Sequence, residues 1–129
     1  MGLSMGGLTT YHLTLTHAHL FNGAIMLAPA IKNISNSWLL RTAKVLKALL
    51  PEKTRLTKPT NKEGSRNPKI GEKRSKDPLV NSEKHCLNTI HFILNQMDRV
   101  PQTFKNYKCP FLVIQGGIDK LVHNCMARV

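Results

Sequence analysis

Two short, unbroken apolar runs limit this chain more than any other feature. Gly23-Ala-Ile-Met-Leu-Ala28 is closed by Pro29, and Phe111-Leu-Val-Ile114 is opened by Pro110. Each suits a strand buried on both faces, the kind found in parallel sheets. The segments between them carry helical spacing. Residues 7–20 place Leu8, Tyr11, Leu15 and Ala18 at three- and four-residue steps. Residues 36–50 read as a helix capped at Asn36 or Ser37 and stopped by Pro51. Residues 82–97 read as another with Ser82 as its cap, and one more begins at residue 120. Helix, strand, inserted helices, strand predicts an α/β fold with two core parallel strands. The chain has no internal repeat.

Composition narrows the class. A length of 129 residues is that of one small domain. The 41% apolar share argues against a wholly disordered chain. No apolar run approaches the roughly 20 residues of a bilayer crossing. The first residues lack the charged and apolar regions of a secretory leader. Cys86, Cys109 and Cys125 are an odd count without close pairs. That disfavours a disulfide framework or a Cys-rich zinc site and points to a reducing, cytoplasmic setting.

The net charge of +12 is concentrated. Residues 52–76 hold nine basic side chains (Lys53, Arg55, Lys58, Lys62, Arg66, Lys69, Lys73, Arg74, Lys76) against Glu52, Glu63 and Glu72, a net +6. The stretch has no aromatic residue and is punctuated by Pro59, Gly64, Pro68 and Gly71. It reads as a long solvated loop. Such a loop serves either as plain surface or as a patch for an anionic partner. The absence of stacking aromatics disfavours nucleic acid and leaves a membrane surface as the candidate partner.

The chemistry-bearing motif is Gly2-Leu3-Ser4-Met5-Gly6, followed by Gly7. Gly-x-Ser-x-Gly between a strand and a helix makes a nucleophile elbow, a turn so tight that its flanking positions must lack bulk. Gly2 and Gly6 meet that need. The Ser4 hydroxyl then projects at a helix N-terminus, where the dipole favours developing negative charge. The Met5 backbone N–H is placed to donate to an oxyanion. Asp119 is a second candidate: it follows an apolar strand at the carboxyl end, where α/β sites gather their functional groups. Its plainer role is to cap the helix that begins near Lys120.

GLSMGG (2–7), GAIMLAPAI (23–31), DPLV (77–80) and PFLVIQGGIDKLV (110–122) together resemble the α/β-hydrolase superfamily. Within it they resemble the monoacylglycerol lipase and lysophospholipase branch, with its caffeoylshikimate esterases and serine aminopeptidase S33-type hydrolases. The resemblance implies a partial α/β-hydrolase fold in three parts. Residues 1–31 would hold the elbow, its helix and a core strand. Residues 32–100 would be a mostly helical inserted cap, with the basic loop 52–76 inside it. Residues 101–129 would hold the second core strand and the acid turn. The resemblance also implies that Ser4 is the nucleophile, Asp119 the triad acid and Met5 an oxyanion donor. Acyl esters or lipids would be the substrates, with no cofactor and no metal.

Several parts of that pattern have no counterpart here. Only Met1, Gly2 and Leu3 precede Ser4, so the strand that should carry the elbow is expected to be missing, as is the second oxyanion donor. The family's catalytic histidine follows a further helix and strand. His123, four residues after Asp119, does not match its position. His12, His17, His19, His85 and His91 read as ordinary exposed histidines rather than metal ligands. The expectation is an incomplete hydrolase that is inactive by itself. The alternative is a non-catalytic basic module that binds anionic membrane or nucleic acid through residues 52–76.

Overall fold

The structure is a computed structural model and describes residues 1–31, 45, 54–57, 65, 67–80, 85–119 and 122. The elements in chain order begin with β1 (Gly2–Leu3), α1 (Met5–Thr16), a 3-10 turn (Ala18–Leu20) and β2 (Ala24–Leu27). Then come β3 (Arg55–Thr57), α2 (Pro68–Lys76), β4 (His85–Cys86) and α3 (Leu87–Thr103). A second 3-10 turn (Phe104–Asn106) leads to β5 (Phe111–Ile114). The chain divides into two compact units, Met1–Asn36 with Ile93–Val129, and Ser37–Phe92.

In the first unit β1, β2 and β5 form a parallel sheet in that order. Gly2 stands opposite Met26, Leu3 opposite Leu27, and Ala24 to Leu27 opposite Phe111 to Ile114. Both apolar runs are strands, but the sheet has three members where two were expected. The third is the strand thought to be missing before Ser4. Two residues suffice because the Ser4 N–H extends the ladder, donating to the Leu27 carbonyl at 2.9 Å.

Helix α1 starts at Met5, directly after Ser4, and its last regular residue is Thr16. Thr9, Thr10, Thr14 and Thr16 each donate a hydroxyl hydrogen bond to the carbonyl four residues back, which keeps β-branched residues compatible with helix. Gly7, Leu8, Tyr11 and Thr14 face inward. Leu8, Tyr11, Met26, Ala30, Ile31, Val100 and Val122 form the core, with Leu15, Ile93, Met97, Phe104, Tyr107 and Val113 packed around it. Burying a side chain the size of Leu8 or Met26 contributes roughly 1.5–3 kcal/mol.

Tyr11 is the centre of that core and is wholly buried. Its ring stacks on Tyr107 at 5.0 Å and on Phe104 at 6.5 Å, while Phe111 meets the Tyr107 ring edge-on at 5.3 Å. Its hydroxyl bonds the Thr103 hydroxyl at 3.0 Å and donates to the Val100 carbonyl at 3.4 Å. The Tyr107 hydroxyl bonds Thr14. Buried phenols are thus satisfied, as burial demands.

The expectation that both strands are buried on two faces is not met. Met26 and Ala24 point into the core. On the opposite face Leu3 is 65% exposed, Ile25 41%, Leu112 53% and Ile114 54%. Helix α1 and the residues of α3 from Ile93 onward cover the Met26 face, and among the described residues no element covers the other.

The second unit corrects the reading of residues 52–76 as a loop throughout. Arg55–Thr57 is a strand, paired antiparallel with His85–Cys86, and the Leu87 N–H donates to the Thr54 carbonyl at 2.8 Å. Pro68–Lys76 is a helix. Asn67 caps it, its side chain accepting from the Lys69 amide at 3.0 Å, and Pro68 takes the first turn, where its missing N–H costs nothing. Lys73, Arg74 and Lys76 sit in the last turn, where cations oppose the helix dipole. Local caps and charge placement form this helix without any buried side chain, which is why apolar periodicity did not announce it.

Helix α3 begins at Leu87, after β4, and continues past Pro101 to Thr103 rather than stopping near residue 97. Gln102 and Thr103 turn their side chains back to the carbonyls of Asp98 and Arg99 at 3.1 and 2.9 Å, supplying donors beside the proline that has none. The expected helix 36–50 lies outside the described residues except for Val45, which is helical and exposed. Ser82 and the helix from residue 120 also lie outside them, apart from Val122. Neither Cys86, half-buried, nor Cys109, buried, is in a disulfide; Cys125 is not described.

Burial pushes the Tyr11 and Tyr107 phenols above their ordinary value of 10.0, and the hydrogen bonds from Thr103 and Thr14 offset part of that. The folded chain therefore holds these protons more tightly than the unfolded chain. Their contribution to stability is complete below pH 10 and is lost as pH rises through the folded values. Melting curves should show stability falling above about pH 10. Tyr11→Phe should flatten that fall while lowering stability at neutral pH by about 1 kcal/mol, since the bonds of the Tyr11 hydroxyl to Thr103 and the Val100 carbonyl are lost.

Candidate functional site

Ser4 takes φ 52° and ψ −115°, in the left-handed region that side-chain-bearing residues avoid. Such a conformation costs of the order of 1–3 kcal/mol and persists only when neighbours over-determine it. Three main-chain hydrogen bonds do so. The Ser4 N–H donates to Leu27, and the Ser4 carbonyl accepts from Leu8 at 3.2 Å and Ala30 at 3.0 Å. The side chain makes no capping bond to α1 and is exposed. Most serines at a helix start turn the hydroxyl inward to cap; here the backbone conformation presents it outward. Met5 is the first residue of α1, and the amides of a first helical turn have no acceptor within the helix. Its N–H can serve an anion at the serine.

The small residues required by this turn are Gly2 and Gly7. A Cβ on Gly2 would overlap the Gly6 carbonyl and the Thr10 hydroxyl. A Cβ on Gly7 would come within 2.7 Å of the Pro29 Cβ and 2.9 Å of its Cα. A Cβ on Gly6 would meet nothing within 4 Å. The demand for smallness expected at Gly6 therefore falls one residue later, where α1 packs on the end of β2. The double glycine was the available signal.

A second strained residue stands beside the serine turn. Ala28, just past β2, has φ 40°, and its N–H donates to the Ile114 carbonyl at 2.7 Å. It joins the ends of β2 and β5 and leads into Pro29 and Ala30, which close on Ser4. Nothing in its residue type signals this role.

Asp119 is half-buried in the turn after β5. Its Oδ2 accepts from the Gln115 side-chain amide at 2.9 Å, and its Oδ1 accepts from the Val122 N–H at 3.0 Å. The bond to the residue three positions on has the form of a helix N-cap. A carboxylate offers about four lone-pair positions, so capping does not by itself conflict with orienting a base. Gln115 was not among the expected site residues; a polar side chain directly after an apolar strand was its only mark. Ser4 and Asp119 follow the carboxyl ends of β1 and β5, on either side of β2. Two strand spacings of about 4.8 Å separate those strand ends.

His12 is half-buried, not exposed as expected. Its Nε2 lies 3.1 Å from the Gln96 carbonyl, which requires the proton on that nitrogen. His17, His19 and His85 are exposed, and His91 is half-buried. Among the described residues no group of three His, Cys, Asp or Glu side chains could hold a metal ion. His123 lies outside them.

A parallel sheet whose first strand enters a helix through a positive-φ serine in Gly-x-Ser-x-Gly has the form of the strand-to-helix serine turn of the α/β-hydrolase fold. Residues 1–128 match the family described as serine aminopeptidase, S33, and the chain belongs to that family. Solved structures similar to it include two lipases. A monoacylglycerol lipase from Paleococcus ferrophilus is 28% identical, with a TM-score of 0.71, over 87% of this chain and 44% of its own. A soluble variant of monoglyceride lipase from Saccharomyces cerevisiae, solved with a substrate analogue, shares the fold with a TM-score of 0.78 at 18% identity, over 98% of this chain and 45% of its own. The chain therefore spans less than half the length of either lipase chain. No curated protein sequence matches it.

The glycine geometry is testable by urea denaturation. Gly2→Ala and Gly7→Ala should each destabilise the chain by about 1–3 kcal/mol through backbone overlap. Gly6→Ala should be neutral or stabilising by up to about 1 kcal/mol, since Ala is the better helix former.

Proposed function

We propose that this chain carries the nucleophile and acid of a serine ester hydrolase that acts on monoacylglycerols, lysophospholipids or similar acyl esters. The observation that supports it most is the outward-facing Ser4 at the positive-φ entry to α1. In this reading Ser4 Oγ attacks the ester carbonyl and passes its proton to a histidine base. The tetrahedral oxyanion takes a hydrogen bond from the Met5 N–H, and Asp119 orients the base. The alcohol leaves, and water then releases the fatty acid from the acyl-enzyme. The same steps would cleave an amide, as the family's description as an aminopeptidase suggests, but the similarity to the 28% identical monoacylglycerol lipase favours a lipid ester. Residues 32–100 would act as the cap of this hydrolase. A cytoplasmic location with peripheral attachment to membranes completes the proposal.

The polypeptide of residues 1–129, taken alone, is proposed to be inactive. It corresponds to less than half of either lipase chain, and among the described residues the strained serine turn is backed by a single layer.

Two measurements separate these statements. In a chain extended by its flanking sequence to the length of the lipases, Ser4→Ala and Asp119→Asn should each lower monoacylglycerol hydrolysis on the order of a thousandfold or more. Full activity in the Ser4→Ala chain would sink the esterase assignment. The 129-residue polypeptide should not react with a fluorophosphonate probe; labelling that disappears in Ser4→Ala would show that it is a working hydrolase after all.

A further inference from the structure

We propose that one face of α2 is a docking surface for anionic phospholipid headgroups. This rests on the membrane attachment proposed above and names the face and the lipid chemistry. At about 100° per residue, Lys76, Lys69, Lys73, Ile70 and Arg74 fall in that order around one arc of about 160°. Gly71, Ser75, Pro68 and Glu72 occupy the rest of the circumference. The helix has no buried residue. All four cations are exposed, and among the described residues only Lys76 has an ion-pair partner, Glu72 at 2.7 Å. Both members of that pair are well solvated, so it neutralises little.

Two apolar side chains accompany the charge. Ile70, in the middle of the basic arc, is 50% exposed, and Leu79, just beyond the helix, is 92% exposed. An isolated exposed isoleucine is ordinary; one flanked on its own helix face by four cations matches a surface that meets headgroups and the outermost acyl carbons together. Nucleic acid fits less well. Residues 52–76 offer no aromatic side chain for base stacking, and an exposed isoleucine has no use against a phosphate backbone. Lipid headgroups supply the opposite charge, and a bilayer takes the apolar side chains.

The test is co-sedimentation of the 129-residue chain with phosphatidylcholine vesicles, either plain or containing about one-third phosphatidylserine. The Ser4→Ala background keeps hydrolysis out of the measurement. Binding should require phosphatidylserine and should weaken steeply as salt rises from about 0.05 to 0.5 M. The triple variant Lys69→Gln, Lys73→Gln, Arg74→Gln should bind about a hundredfold more weakly, from roughly fivefold for each of the three cations. Glu72→Gln, which removes the one anion of the helix, should bind up to about fivefold more tightly. Because every altered side chain is exposed and one change strengthens binding, loss of folding cannot mimic this pattern. Equal binding to plain phosphatidylcholine, an unchanged triple variant, or tighter binding to a single-stranded RNA oligonucleotide than to the anionic vesicles would overturn the proposal. Ester hydrolysis and Ser4 labelling are read separately, so failure here leaves the hydrolase reading standing, and failure there leaves this surface intact.

Discussion

Ser4 sits in a backbone conformation that it would not choose, and the first unit is organised to keep it there. Its N–H extends the β1–β2 ladder, and its carbonyl collects amides from both α1 and the 28–31 segment. Those three bonds join a strand, a helix and a returning loop at one peptide unit. The close approach they need explains Gly2 and Gly7, whose Cβ atoms would occupy space already taken by Gly6, Thr10 and Pro29. Strain of this kind is retained where it places a reactive group, and here it turns a hydroxyl away from the cap it would otherwise make.

The support behind the turn comes from one side. Tyr11 packs in a triad of rings with Tyr107 and Phe104 and is tied to Thr103 and Val100. It thereby holds α1, which leaves Ser4, against the end of α3. Parallel sheets are ordinarily covered on both faces, because their apolar side chains alternate above and below. This sheet presents Leu3, Ile25, Leu112 and Ile114 on a face without cover among the described residues. Exposed apolar patches of that kind mark surfaces that meet other molecules or segments.

The two units also differ in what holds them. The first has an aromatic and aliphatic core. In the second, α2 rests on an Asn cap, an N-terminal proline and a favourable charge gradient. A helix of that type buries none of its side chains, so its charge can serve as surface chemistry rather than as packing.

Apolar runs at 24–27 and 111–114, the helix after Ser4, and the elbow motif were all legible in the residues, because each depends on local pattern: run length, three- and four-residue spacing, and glycines around a serine. Asp119 was legible from its place after a strand. Gln115, Ala28 and the half-buried His12 were not, since their roles come from partners distant in sequence or from a backbone angle that residue type does not encode. The same holds for β1, which is too short to carry a pattern and exists only because β2 pairs with it. Thus the sequence by itself determined an α/β chain with a serine at a strand-to-helix turn. Only the tertiary structure decided that Gly7 rather than Gly6 must stay small and, among the described residues, that three strands rather than two make the sheet and that one sheet face is left open. The reason is that backbone hydrogen bonds and Cβ clearances are set between segments, and no single segment records them.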